Sequence, residues 1–131
     1  MKKWLVLLLT FALMTILIAC GSTSNGGSSN KVEPPINVSE DEIASGNLEI
    51  VASNWEFDQE YYAIRAGEEV SFTVNSVEGV HGIEIVGTPY SSIVKDATAV
   101  TITEPGTYVI RCSVPCGGGH RTMTSKLVVV G

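Results

Sequence analysis

Two thiols, one imidazole and one thioether lie within twelve residues near the C-terminal end of the chain. They belong to Cys112, Cys116, His120 and Met123, in the segment Cys-Ser-Val-Pro-Cys-Gly-Gly-Gly-His-Arg-Thr-Met. Sulfur and imidazole ligands select soft metals such as copper over hard cations such as magnesium or calcium. The spacing therefore predicts a metal site on one loop.

The only other histidine is a candidate to complete this ligand set. His81 lies 31 residues before Cys112, at the start of the predicted strand Gly82 to Val86. In an antiparallel sandwich, the start of this strand can lie beside the loop that follows the strand Thr107 to Cys112. Together the segments offer two histidines, two cysteines and one methionine as ligands.

Short apolar stretches separated by glycine and proline make up the chain beyond about Asn37, without a sustained helical period. Val70, Phe72 and Val74 alternate with polar residues, as in a half-buried strand. The pattern predicts an all-β fold, a Greek-key β-sandwich or small barrel. The predicted strands are Leu48 to Ala52, Glu69 to Asn75, Gly82 to Val86, Ala97 to Thr103, Thr107 to Cys112 and Ser125 to Val130. One helical turn is expected to begin at Ser39, with a glutamate three residues later in the reciprocal capping position.

The N-terminus has the features of an export signal. Lys2 and Lys3 precede an uncharged apolar run of 16 residues, Trp4 to Ala19. As a helix this run would reach roughly 24 Å, less than the roughly 30 Å of a bilayer's hydrocarbon core. It ends in Leu-Ile-Ala-Cys, which resembles the lipobox of bacterial lipoproteins. We therefore expect residues 1–19 to be a signal peptide and Cys20 to be lipidated, although a short anchor helix is the alternative.

A flexible tether is predicted between the signal peptide and the folded domain. Residues 20–37 are rich in glycine, serine, threonine and asparagine, which cannot build a core. The folded domain is then expected over residues 38–131, held by lipid at the outer face of the bacterial cytoplasmic membrane. Loss of the signal peptide changes the formal net charge from −6 to −8, because it removes two lysines. Such a charge argues against nucleic acid and favours a basic protein partner.

The spacing Cys-x3-Cys-x3-His-x2-Met, with His-Gly-Ile at the head of a strand, resembles a known copper centre. It is similar to the binuclear CuA site of cytochrome c oxidase subunit II and nitrous oxide reductase, which have cupredoxin folds. The similarity is greatest to subunit II and extends over roughly Leu48 to Val130, including Arg65 to Val70 and Glu104 to Tyr108. It implies a cupredoxin-like fold and two copper ions.

The resemblance also implies a ligand set of two bridging thiolates, two imidazoles, one thioether and one backbone carbonyl. Its members are Cys112 and Cys116 as bridges, His81 with Met123 on one copper, and His120 with the carbonyl of Val114 on the other. Subunit II relatives use an aromatic-rich stretch as the point where electrons enter, which makes Trp55 a candidate for that role. The implied function is electron transfer from cytochrome c, or a similar basic donor, to a haem-copper oxidase.

Other interpretations of the loop fit the residues less well. Cys112 and Cys116 are also able to form a disulfide, and a zinc site with two cysteines and two histidines would leave Met123 unexplained. A mononuclear blue-copper site needs only one cysteine, and the triple glycine lacks the Lys-Ser/Thr of a phosphate loop. Arg111 and Arg121 flank the ligands and are expected either to pair with carboxylates or to be solvated.

Two functional classes remain at the level of the sequence. One is an electron-transfer subunit of a cytochrome c oxidase, and the other is a free-standing copper carrier or chaperone for assembly of the oxidase copper site. Oxidase subunits of this kind usually carry one or two transmembrane helices, which we do not expect in this chain. No nucleophile, acid-base pair or substrate pocket is recognisable, so we expect no catalysis from this chain alone.

Overall fold

Nine strands and two short 3-10 helices build residues 36–131, which are the part of the chain that this computed structural model describes. The strands are β1 (Ile43–Ala44), β2 (Asn47–Ser53), β3 (Glu56–Phe57), β4 (Tyr61–Arg65), β5 (Glu69–Ser76), β6 (Ile83–Ile85), β7 (Thr98–Thr101), β8 (Gly106–Cys112) and β9 (Thr124–Val130). The 3-10 helices are Glu40–Glu42 and His120–Thr122. The predicted signal peptide, the lipidation of Cys20 and most of the tether lie outside the described residues.

The strands form two sheets that pack face to face. One sheet has the order β1-β4-β9-β8-β6, and the other has the order β3-β2-β5-β7. Strand β2 pairs in parallel with β5, and β4 pairs in parallel with both β1 and β9. The remaining pairs are antiparallel. This order confirms the predicted Greek-key β-sandwich of the cupredoxin type.

The core lies between the sheets and is built by side chains that alternate along the strands. In β5, Val70, Phe72 and Val74 are buried, as their spacing predicts. Leu127 of β9 faces the same core and has no exposed surface. The two-residue period of the apolar side chains therefore decides which face of each strand is buried.

All six predicted strands are present, and their ends differ from the predicted ones by at most two residues. Three further strands were not predicted. Two of these, β1 and β3, are only two residues long. The third, β4, lies between two parallel neighbours and is buried at Tyr62, Ala63 and Ile64 in succession. A strand without alternation leaves no period-two signal.

The helical turn predicted to begin at Ser39 is the first 3-10 helix. The Glu42 carboxylate accepts hydrogen bonds from the Ser39 backbone N–H at 2.9 Å and from its hydroxyl at 2.6 Å. The Tyr61 hydroxyl also donates to Glu42. The Ser39 hydroxyl, the Tyr61 hydroxyl and the Ser39 N–H lower the pKa of Glu42 to about 2. Across residues 36–131, no helix is long and apolar enough to cross a membrane.

Candidate metal centre

Three strands bring the predicted ligands to one end of the five-stranded sheet. Strand β6 runs antiparallel to β8, with Ile83 opposite Cys112. His81 lies two residues before Ile83, and its Nδ1 is 3.8 Å from the Cys112 Sγ. Met123 directly precedes β9, and its carbonyl accepts the Cys112 N–H at 3.1 Å. The predicted proximity of His81 to the loop is therefore observed.

The sulfur atoms of the two cysteines are at the centre of the cluster. Both thiols are free, and their Sγ atoms are 3.4 Å apart. The ligand atoms of His81, Cys112 and Cys116 all lie within 4.8 Å of one another. The Cys112 Sγ is 3.2 Å from the carbonyl oxygen of Val114, and the Cys116 Sγ is 3.7 Å from Nδ1 of His120. Each imidazole thus presents Nδ1 to one of the two sulfurs.

The second 3-10 helix, His120–Thr122, sets the positions of the last two predicted ligands. Its first residue donates a backbone hydrogen bond to the Gly117 carbonyl at 3.2 Å, and the Met123 N–H donates to the Gly119 carbonyl at 3.1 Å. The Met123 side chain is buried in the same apolar cluster as Cys112, whereas His120 is half-buried. The imidazole therefore lies at the surface end of the site and the thioether at its core end.

The buried histidine is held by a backbone carbonyl and a serine hydroxyl, which the sequence alone does not identify as its partners. His81 is 1% exposed, and its Nε2 lies 2.9 Å from the carbonyl oxygen of Glu78. This contact assigns the proton to Nε2 and leaves a lone pair on Nδ1, the nitrogen that faces Cys112. The backbone N–H of His81 also donates a hydrogen bond to the Ser76 Oγ at 3.0 Å. Gly79, which lies between Glu78 and His81 and has φ +72°, is a glycine, and this residue type favours a tight turn.

Metal binding at the second thiol, Cys116, would release a proton. Burial raises the pKa of the Cys116 thiol, and the hydrogen bond and charge of Cys112 raise it further. The Cys116 thiol therefore keeps its proton at neutral pH in the metal-free protein. A metal that binds its sulfur must displace this proton, because the thiolate is the ligand.

Trp55 lies directly on the loop that carries the ligands. Its Nε1–H donates a hydrogen bond to the Cys116 carbonyl oxygen at 2.8 Å. The indole ring also packs against Gly117 and Gly119. Although 45% of Trp55 is exposed, one face of the ring is therefore covered by the loop. The predicted role of Trp55 in receiving electrons remains a prediction.

Charged side chains border the surface end of the site. Arg111 pairs with Glu84 across strands β8 and β6, so one of the two flanking arginines has the expected carboxylate partner. Arg121 is exposed and lines a cavity of about 300 Å³. The other residues of this cavity are Glu84, Arg111, Cys112, Ser113 and His120.

The donor set fits copper. Two ligand atoms bound to one metal at about 2.0–2.3 Å stand roughly 3–4.5 Å apart. The sulfur–sulfur and sulfur–imidazole separations of 3.4, 3.7 and 3.8 Å fall in this range. Thiolate and imidazole ligands suit copper, and His81 already has the backbone partner that orients a ligating imidazole.

Comparisons with known proteins agree with the fold and are informative only at the level of structure. No protein-family model matches the sequence, and a comparison with curated proteins finds no match. A chain from the cryo-EM structure of a haem-copper terminal oxidase dimer matches with a TM-score of 0.54 and 25% identity, over 98% of this chain and 95% of that chain.

Two further solved structures show the same fold. The periplasmic domain of subunit II of cytochrome oxidase from Bradyrhizobium japonicum matches with a TM-score of 0.57 and 14% identity, over 66% of this chain and 85% of that chain. Auracyanin A, a blue copper protein from Chloroflexus aurantiacus, matches with a TM-score of 0.50 and 18% identity, over 66% of this chain and 99% of that chain. The described domain therefore has the cupredoxin fold and is similar in structure to the periplasmic domain of cytochrome oxidase subunit II.

Proposed function

We propose that this chain holds a binuclear CuA centre and transfers single electrons to a haem-copper oxidase. The observation that carries this proposal is the pair of free thiols 3.4 Å apart, each with the Nδ1 of a histidine beside its sulfur. A blue-copper site needs only one cysteine, so the second thiol favours the binuclear centre. The likeness to a chain of a haem-copper oxidase dimer supports the choice of acceptor.

Cys112 and Cys116 would hold the two copper ions, and such a centre would spread the transferred charge over both ions with little change in bond lengths. Around such a centre the protein supplies a fixed ligand frame. Cys112 is buried at the end of β8, and His81 is held by the Glu78 carbonyl. Met123 offers a weak, soft ligand from the core, which is a position that tunes the potential of copper sites. The Val114 carbonyl lies next to Cys112 Sγ and does not depend on side-chain identity.

The surface beside His81 has apolar and acidic residues that suit the binding of a basic electron donor such as cytochrome c. Trp55, Val77 and Val80 are exposed by 45%, 60% and 64%. The Val77 N–H donates to the carbonyl of Ala52 in β2. Ala52 lies two residues before the turn that carries Trp55. The three apolar side chains therefore lie around one end of the sandwich. Glu56 and Glu78 are exposed beside them, and the domain is acidic overall. Complementary charge raises the rate at which such partners meet.

We propose further that lipid at Cys20 keeps this domain at the outer face of the cytoplasmic membrane, where an electron donor can reach it. The lipobox-like segment and the short apolar run before it support this location. Labelling of cells with a radioactive fatty acid tests it. Label is expected in the wild-type protein and not in Cys20→Ser, whereas label in both proteins would contradict the anchor.

Electron paramagnetic resonance of the copper-loaded protein tests the centre. We expect hyperfine structure from one electron shared equally by two coppers, and its loss in Cys116→Ser. A mononuclear spectrum from the wild-type protein, or a normal binuclear spectrum from Cys116→Ser, would contradict the proposal. Copper transfer to a metal-free acceptor without matching electron transfer would favour the copper-carrier alternative.

Stopped-flow reduction by cytochrome c tests the donor surface. Glu56→Gln and Glu78→Gln are expected to slow the bimolecular rate at low salt, with the difference lost at high salt because ions screen the charges. Glu104→Gln is the matched control, because Glu104 precedes β8 at the end opposite Cys112. Equal slowing in all three variants would show that net charge, and not this surface, guides the donor.

A further inference from the structure

The turn between β2 and β3 contacts both loops that carry the predicted ligands. Its residues are Asn54 and Trp55. Trp55 donates its indole hydrogen bond to the carbonyl of Cys116 at 2.8 Å. On the other side, the Asn54 Oδ1 lies 2.8 Å from the position that a Cβ on Gly79 would take, two residues before His81. One short turn therefore touches the His81 loop and the cysteine loop at once.

The contact between Trp55 and the cysteine loop requires a glycine at position 119. A methyl group on Gly119 would lie 2.4 Å from Cγ and 2.5 Å from Cβ of Trp55. These atoms form the base of the side chain, so rotation of the distal ring cannot relieve the overlap. At Gly118, by contrast, an added Cβ would meet nothing within 4 Å. The absence of a side chain is thus needed at Gly119 and not at Gly118.

The hydrogen bond from Trp55 fixes a peptide group with a ligand on each side. The Cys116 carbonyl belongs to the peptide that joins Cys116 to Gly117. The carbonyl of Gly117 accepts the N–H of His120 at 3.2 Å. The direction of the Cys116–Gly117 peptide therefore determines the position of the Cys116 thiol and the start of the turn that carries His120. Glycine at 117, with φ +114°, gives the segment freedom that an external contact must restrict.

We propose that Trp55 is a positioning residue for the metal loop. Its side chain is seated against Gly119 at Cβ and Cγ, and its indole N–H sets the direction of Cys116 and His120 before any metal binds. This role differs from the passage of electrons through Trp55, since it acts through the backbone of Cys116. It rests on the proposed function, because a preset loop matters for a centre whose ligands must move little.

Hydrogen exchange in the metal-free protein tests the proposal without copper. Trp55→Phe keeps an aromatic ring and removes the N–H donor. Loss of one hydrogen bond is expected to speed amide exchange in the loop, residues 117–122, by about 2- to 10-fold. Gly119→Ala is expected to do the same, Gly118→Ala is expected to change it less than about twofold, and the β8–β9 amides are expected to be unchanged in all three. Unchanged loop exchange in Trp55→Phe would overturn the proposal.

A double-variant cycle shows whether Gly119 acts through Trp55. If the added methyl group acts by displacing the indole, then Trp55→Ala combined with Gly119→Ala exchanges no faster than Trp55→Ala alone. Fully additive effects would mean that position 119 acts independently of Trp55, and would overturn the seating of the indole. The cycle needs no metal and depends only on the contact in question.

Copper binding gives the second readout. Loss of a group that orients a metal ligand typically lowers affinity 10- to 100-fold. We expect at least a tenfold loss of copper affinity and a shifted midpoint potential in Trp55→Phe, with neither in Gly118→Ala. Unchanged affinity and potential in Trp55→Phe would overturn the role. If the protein holds no binuclear copper but loop exchange responds as expected, the proposed function fails and the positioning by Trp55 stands.

Discussion

Gly79→Ala is the sharpest test of how His81 is held, because the chain contains a matched control for it. Gly79 has φ +72°, and Gly67 has φ +76°. A Cβ on Gly67 would meet nothing within 4 Å, whereas a Cβ on Gly79 would lie 2.8 Å from Asn54 Oδ1 and 3.2 Å from His81 Nε2. Alanine at the two positions therefore carries the same backbone strain and differs only in its neighbours.

The expected magnitudes separate the two variants. A left-handed backbone costs a non-glycine residue about 1–2 kcal/mol, so Gly67→Ala should lower the free energy of unfolding by about that amount. Gly79→Ala adds overpacking against His81, while the exposed Asn54 side chain can move aside, so the further cost is expected at the low end of the usual range, about 1 kcal/mol. The new methyl group also lies 3.2 Å from His81 Nε2, the atom that contacts the Glu78 carbonyl. Loss of that contact is expected to lower copper affinity about 10- to 100-fold.

Urea unfolding of the metal-free proteins and copper competition with a chelator of known affinity measure the two effects. Gly67→Ala is expected to lose stability and keep the copper affinity of the wild-type protein. Gly79→Ala is expected to lose more stability and to bind copper more weakly. If the two variants are equally stable and bind copper equally well, the contact between the Glu78 carbonyl and His81 does not orient the ligand.

Three further outcomes follow from the structure. Met123→Leu is expected to keep copper bound and to shift the midpoint potential in voltammetry, with a stability loss below about 1.5 kcal/mol because the buried side chains have similar volumes; loss of copper would show a larger structural role for the thioether. Phe72→Ala is expected to lower the free energy of unfolding by about 3–5 kcal/mol, since Phe72 has no exposed surface; urea titration checks this, and a loss below about 1 kcal/mol would contradict the core assignment. The pKa of Glu42, about 2, lies below its usual 4.5, so its contacts stabilise the fold above pH 4.5 and are lost as the pH falls through about 2; carboxyl NMR should show this pKa, and Ser39→Ala should raise it.

Local patterns in the sequence account for most of the sandwich. The alternation of Val70, Phe72 and Val74 is a property of consecutive residues, and it identifies a strand without knowledge of its neighbours. Strand β4 escapes this reasoning because Tyr62, Ala63 and Ile64 are buried in succession, so no alternation marks it. Strands β1 and β3 are too short to show any period.

The candidate site likewise has features that the sequence predicts and features that it does not. The ligand types and their spacing are visible in the sequence, and the antiparallel pairing of β6 with β8 brings His81 to Cys112 as predicted. The Glu78 carbonyl on His81 and the Trp55 hydrogen bond to Cys116 were not predictable, because both use a backbone acceptor. A backbone carbonyl is present at every residue, so the sequence does not distinguish the one that serves a ligand.

The three strand ends that meet at the site make metal binding dependent on folding. His81 and Cys112 are separated by 31 residues and come together only when β6 pairs with β8. An unfolded chain can offer a metal only the local ligands from Cys112 to Met123, which lack the buried imidazole. The complete ligand set therefore exists only when the strands are paired, so a metal that needs every ligand would bind the folded protein. Because the complete ligand set depends on the pairing of β6 with β8, metal binding by all of the ligands would report correct strand pairing at this end of the sandwich.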